Sequence, residues 1–215
     1  MSGHETALAG SDAGEAGLRL LSPVPEALCD AAYDVYLDAF WPKLAVALGD
    51  RVRAAAVLRP TLCPGRAVAA VMGGRLLGVA GFHLGGAFLD PGWADLRRVY
   101  GRWSTPWRSA LLSLYDRAPE PGEFLMDGIA VSAETRGRGV GSALLGAVET
   151  QARAQGAQWI RLDVVAENDG ARRLYERHGF AVAGRRSNRV WSPLLGFSAA
   201  IRMRKDLRHG EPPDR

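Results

Sequence analysis

Three glycines interleave with two arginines and a valine in Arg136-Gly137-Arg138-Gly139-Val140-Gly141. The run follows an extended stretch at residues 124–131 and opens a helical one at residues 140–155. Glycines at a strand-to-helix turn let the backbone approach a ligand and leave several amide N–H groups pointing outward together. That arrangement is an anion cradle, most naturally for a diphosphate, so a nucleotide-like cofactor is the first expectation. Two familiar phosphate patterns fit poorly. A phosphate-loop NTPase needs Lys-Ser/Thr after the glycines, and here Gly141 leads to Ser142 with no lysine. A dinucleotide fold needs GxGxxG near an early strand, whereas this turn comes late with glycines two apart; Asp163 downstream does not restore the match.

Asp127 is the other chemically loaded residue. It alternates with Leu125, Ile129 and Val131, so a carboxylate sits on an apolar strand face and needs a partner, water or a function. An ion pair with an arginine is the competing explanation. His83, just after a hairpin strand, is a second candidate for proton transfer, with Glu123 and Asp163 behind it. Cys29 and Cys63 are the only cysteines and form no CxxC pair, so neither a zinc site nor a disulfide scaffold is expected.

The elements that must hold these residues read as an alternation of strands and helices. A short strand at residues 18–21 precedes a helix at 25–39, which Pro42 interrupts before a second helix at 43–48. Strands at 67–71 and 76–82 flank Gly73-Gly74, a doublet suited to a tight hairpin. Residues 93–117 read as helical and aromatic-rich, in two runs separated at Pro106. Val140, Leu144, Val148 and Ala152 make a helix stripe, and Ile160, Leu162 and Val164 alternate as a strand. Asn168 caps a helix running to about residue 178, which Gly179 stops. The last strands fall at 180–185 and 199–204, around a loop at 188–197.

The 215-residue length suits one well-buried core. Hydrophobic residues at 47% and charged residues at 23% are those of a globular protein. A net charge of +4 fits an anionic ligand. No long Lys/Arg run marks a nucleic-acid surface. There is no apolar run of roughly 18 residues for a membrane span and no signal core. A cytoplasmic protein is expected, and its Ala/Arg/Gly-rich usage fits a GC-rich bacterial genome.

In combination the chain resembles the GCN5-related N-acetyltransferase (GNAT) superfamily. The cofactor motif Gln/Arg-x-x-Gly-x-Gly/Ala is matched by Arg136, Gly139 and Gly141. The strand at residues 159–165 follows, then Asn168, Ala171, Leu174, Tyr175 and Gly179-Phe180. The resemblance implies an α/β (α+β in some schemes) fold: a single domain with a central mixed, mostly antiparallel sheet flanked by helices and splayed between its fourth and fifth strands. It implies a domain over residues 17–208 with a helical insertion at about 93–117, a disordered segment at 1–16 and a frayed tail at 209–215.

The resemblance further implies acetyl-CoA as cosubstrate, with no metal. Its pyrophosphate would meet the amides of Arg136, Gly137, Arg138, Gly139, Val140, Gly141 and Ser142. Its pantetheine would pair with Ile129, Ala130 and Val131, the Ile129 N–H polarising the thioester carbonyl. Asn168 would contact the cofactor or order its segment. Tyr175, placed near the start of its helix, would protonate the leaving sulfur, and Asp127 or His83 would take the amine proton. The acceptor would be an amine-bearing small molecule, a peptide N-terminus or a lysine, met by residues 40–48, 83–115 and 189–197. Trp93, Trp103, Trp107 and Trp191 would form an aromatic wall there or a dimer contact. No nucleic-acid or membrane partner is expected, and the assembly is a monomer or homodimer. The alternative function is a catalytically weak acyl-CoA-binding or regulatory module.

Overall fold

The computed structural model describes residues 17–113, 118–187 and 199–208. The expected disordered and frayed termini, the loop at 188–197 with Trp191, and the end of the insertion lie outside these residues. One seven-stranded sheet forms the centre: β1 (Arg19–Leu21), β2 (Ala67–Met72), β3 (Arg75–Phe82), β4 (Glu123–Val131), β5 (Trp159–Val165), β6 (Ala181–Ser187) and β7 (Ala199–Asp206), in the order β1-β2-β3-β4-β5-β7-β6. Every neighbouring pair is antiparallel except β4 and β5. That parallel pair is joined by the helix α4 (Val140–Ala154), since parallel neighbours require a crossover. The turn between β2 and β3 places Gly73 and Gly74 at φ +54° and +73°. Both are left-handed, as a two-residue hairpin requires.

Helices cover both faces. α4 sends Val140, Leu144, Leu145 and Val148 into the main core, against Val68, Ala70 and Phe82 of the sheet. The opposite face, including Ala67, Ala69 and Val79, meets Ala32 and Tyr36 of α1 (Cys29–Leu48). β2 is buried on both faces, and its alanines let the two helical layers come close. Outside α1 lie α2 (Arg51–Leu58) and α3 (Trp93–Ser113), packed around Tyr33, Leu37, Val57 and Leu96. α3 also caps α1. Tyr100 donates to the Leu48 carbonyl at 2.6 Å, and the Arg108 guanidinium meets that of Ala47. A cation at the carbonyl end of a helix is favourably placed.

Two helix expectations change. α1 runs continuously through Pro42, and packing on both sides of it outweighs one lost donor. The break in α3 falls at Gly101, with φ +71° and ψ 175°, and not at Pro106. α5 (Asp169–Arg177) begins as expected, the Asn168 Oδ1 accepting from the Ala171 N–H at 3.0 Å.

Leu144 is fully buried beneath β3 and holds α4 to the sheet. Leu144→Ala is expected to lower the unfolding free energy by about 3 kcal/mol, measured by urea denaturation. A selective kinetic loss at unchanged stability would contradict this placement.

Candidate active site

The site is built where β4 and β5 part. They pair only over Glu123–Leu125 and Trp159–Arg161, although β4 continues to Val131 and β5 to Val165. The closed end is held by Glu123 and Arg161, an ion pair at 2.7 Å whose side chains are almost fully buried; its Nε–H is not aligned for a hydrogen bond. Arg161 also donates to the Ala118 carbonyl at 3.0 Å. Glu123 is therefore committed to structure at the shut end of the splay, which removes it as a base.

Asp127 is the extra residue of a bulge, because Gly81 opposes Gly128 while Phe82 opposes Met126. A bulge shifts the side-chain alternation. Asp127 thus lies on the α1 face, near Gly81 and Tyr36, whereas Ile129 and Val131 pack into the core under α4. The expected common face of Asp127 with Ile129 and Val131 is corrected accordingly. Among the described residues its partner is a histidine and not an arginine. His83 Nε2 stands 2.8 Å from Asp127 Oδ1, and the Phe88 N–H donates to Oδ2 at 3.1 Å. The two separate base candidates form one dyad, each about one-eighth exposed. Tyr36 lies beside it: burial first, then the charge of Asp127 and the neighbouring Tyr175, hold its hydroxyl well above its ordinary pKa.

Arg66 supports the dyad from behind. It donates to the carbonyls of Leu84, Gly85 and Ala87 and to the Asp90 carboxylate, each at 3.1 Å. This fixes the loop that presents the Phe88 N–H. Neither Arg66 nor Tyr36 was singled out from the sequence. Their roles depend on contacts across 18 residues or more, which no local pattern encodes.

Beyond the bulge the β4 backbone alternates between its two edges. The Ser132 N–H donates to Leu77 of β3. By alternation the Ala130 peptide also turns to β3, and its carbonyl lies under Gly78. The Ile129 and Val131 peptides face the open splay. Of the three residues expected to offer backbone there, Ala130 does not. The Arg136 Nε–H donates to the Val131 carbonyl at 3.4 Å.

At the wide end, α4 starts at Gly139, with φ +82° and no side-chain cap. Its first helical bond runs from Ala143 to Gly139. The N–H groups of Val140, Gly141 and Ser142 therefore have no intrahelical acceptor. A Cβ on Gly137 or Gly139 would meet open space, while one on Gly141 would approach Leu174 at 3.2 Å. Gly141 thus serves the packing of α4 against α5. The Arg138 N–H bonds to Thr135 at 3.4 Å, and this residue does not line the cleft.

A cleft of about 790 Å³ runs from this helix end along the splay to Asp127, with Asn168, Leu174, Tyr175 and Arg177 on its α5 side. Tyr175 falls in the second half of α5, not near its start. It is 6% exposed, its ring lies 5.9 Å from that of Phe180, and burial pushes its hydroxyl above its ordinary pKa of 10. A smaller cavity of about 310 Å³ lies on the α1–α3 side. The two share Phe40, Lys43, Asp127, Asp163, Val164 and Val165. A Cβ on Gly128 would collide with the Phe40 ring, so this glycine lets the aromatic close over the bulge. Trp93, Trp103 and Trp107 are 51%, 83% and 46% exposed and line neither space; Tyr36 and Phe40 supply aromatic surface to the smaller cavity, Phe40 and Tyr175 to the cleft. Among the described residues, no cluster of three or more His, Cys, Asp or Glu could hold a metal, and no helix is long and apolar enough to cross a membrane.

The profile of the acetyltransferase (GNAT) family matches residues 30–180. The chain belongs to that family. No curated protein sequence matches it. Among solved structures, this GNAT chain is similar to an N-acetyltransferase from Staphylococcus aureus Mu50, at 18% identity and TM-score 0.62, covering 90% of this chain and 100% of that one. A GCN5-related N-acetyltransferase from Kribbella flavida aligns at 20% identity and TM-score 0.56, over 88% and 98% of the two chains. The ribosomal-protein-S18-alanine N-acetyltransferase from Escherichia coli aligns at 17% and 0.54, over 93% and 99%. At these identities the likeness is one of fold. Family membership supports acetyl-CoA-dependent acyl transfer in general.

Proposed function

We propose that this protein transfers the acetyl group of acetyl-CoA to a primary amine by direct attack of the neutral amine on the thioester. The observation that carries the reading is the junction at Asp127, where a cleft beginning at an uncapped helix end meets a second, smaller cavity. The cleft residues fit the cofactor. The α4 N-terminal amides and helix dipole suit a pyrophosphate, and Arg136 adds positive charge. The Ile129 and Val131 peptides on the open edge suit the amide-bearing pantetheine arm. Asn168 orders the start of α5 beside it.

When bound, acetyl-CoA supplies a thioester carbon open to attack. The Ile129 N–H is assigned to the thioester oxygen, where negative charge develops in the transition state. Most amines are protonated near neutral pH, so a proton must leave before attack. Asp127 attracts the ammonium and takes that proton, directly or through water, with His83 orienting its carboxylate. The Tyr175 hydroxyl, kept protonated by burial, donates to the departing sulfur.

Release of CoA thiol from acetyl-CoA, screened against small amines and short peptides, tests the reading. Release that saturates with an amine supports transfer. Cofactor binding without amine-stimulated release would instead support an acyl-CoA-binding module.

Arg66 provides a subtler test, since it touches neither proposed substrate. Arg66→Ala is expected to lower kcat roughly tenfold by loosening the loop behind Asp127, with the KM for acetyl-CoA unchanged. An effect on KM alone would remove this positioning role.

A further inference from the structure

The smaller cavity has a composition that selects among amines. At the junction it borders Asp127 and Asp163, the latter with its side chain 8% exposed and 3.9 Å from the Arg202 guanidinium. Among the described residues its only other lining carboxylate is Asp90, which Arg66 holds at 3.1 Å. Away from the junction the wall is made by Leu44, Leu58, Leu89, Leu96 and Leu112, interrupted on α3 by the neutral hydroxyls of Ser109 and Ser113. Two of the three carboxylates that line it thus sit at the junction, and leucines dominate the rest of the described wall.

We infer that the acceptor is a small monoamine: one primary ammonium at Asp127, carried on an apolar body that fills the leucine-lined space. The inference rests on the acetyltransferase reading for its chemistry and deepens it by naming the substrate class. Two physical arguments converge. Among the described residues, a second ammonium in the leucine-lined part would meet leucines, two neutral hydroxyls and a carboxylate already held by Arg66, and desolvating a charge without its own partner is costly. A peptide would have to bury several amide groups against a described wall that is mostly leucine, where few side chains offer them a partner. The volume, about 310 Å³, is at the lower end of the roughly 300–1,000 Å³ range for small organic ligands. Each methylene buried against the leucines adds to affinity, so a chain of several methylenes gives substantial selectivity.

Hexylamine, putrescine and tetra-alanine with a free N-terminus make the decisive panel. The kcat/KM for hexylamine is expected to exceed that of either competitor by about tenfold or more. Leu112 is half-buried on α3 and lines the smaller cavity but not the cofactor cleft, so changes there test the wall apart from the junction residues. Leu112→Glu should narrow the hexylamine-to-putrescine ratio about tenfold by giving the second ammonium a partner. Leu112→Phe should depress hexylamine relative to butylamine by filling the space. Higher kcat/KM for putrescine or tetra-alanine would overturn the inference while leaving acetyl transfer intact. Calorimetry on the CoA-loaded protein reads the cavity independently of turnover. If no amine releases CoA, the transfer reading fails; saturable hexylamine binding that Leu112→Glu weakens would still support the monoamine site, and absence of hexylamine binding would overturn it.

Discussion

Tyr175→Phe is expected to lower kcat by about a hundredfold while leaving the affinity for acetyl-CoA intact. The ring is buried and packed against Phe180, and the substitution keeps that ring. What disappears is one hydroxyl on the wall of the cofactor cleft. Desolvation raises its pKa above the ordinary value of 10, because the charged phenolate is disfavoured without water. The hydroxyl therefore stays a donor throughout the assay range, and Tyr175 should put no alkaline limb on the wild-type rate below about pH 10. The same shift sets a stability expectation. Below pH 10 the tyrosine is neutral in both the folded and unfolded chain, and its contribution is fully present. As pH rises above 10, the unfolded chain loses its proton first, and stability falls toward the higher folded pKa. Tyr36 is shifted in the same direction and steepens that loss. Steady-state kinetics and calorimetric cofactor titration on the pure variant check the first claim. An unchanged kcat would end the acid assignment. Urea denaturation at pH 9 and pH 11 checks the second, with the Phe variant expected to lose less than wild type.

The elements between Phe124 and Phe180 were largely legible in the sequence because their signals are local. The glycine run, the α4 stripe, the alternation in β5 and the Asn168 cap each lie within a few residues of the structure they specify. The same locality made the hairpin at Gly73-Gly74 readable. Features set by distant contacts were not. Pro42 suggested a break, yet packing across α1 carries the helix through it. α2 has little apolar periodicity of its own and is stabilised against α1 and α3. The tryptophans of α3 suggested a wall because aromatic content shows which side chains are large, not which way a kinked helix turns them. The most consequential error was one of parity. A bulge adds one residue that no alternation pattern reveals, and it moves Asp127 to the opposite face from Ile129. The sequence had named both Asp127 and His83; their pairing became visible only when the hairpin closed against the bulge.

That pairing makes Asp127→Asn the sharpest test of the amine half of the reaction. The amide is nearly the same size and can still accept the Phe88 N–H, so the loop has no steric reason to move. The negative charge beside His83 is gone, and with it both the attraction for an ammonium and the acceptor for its proton. The kcat/KM for the amine is expected to fall about a hundredfold, with the Kd for acetyl-CoA unchanged. Without a base, only amine already neutral in solution reacts. The residual rate should then climb about tenfold per pH unit below the amine's own pKa, near 10, more steeply than in wild type. A purely structural Asp127 predicts a different pattern: a loss of stability beyond the roughly 1 kcal/mol of one hydrogen bond, and a rate deficit that is constant with pH. Parallel pH–rate profiles for the two proteins would therefore assign Asp127 to the scaffold. Convergence of the profiles as pH approaches 10 would assign it to the proton, because free amine supplies at high pH what the carboxylate supplies near neutrality.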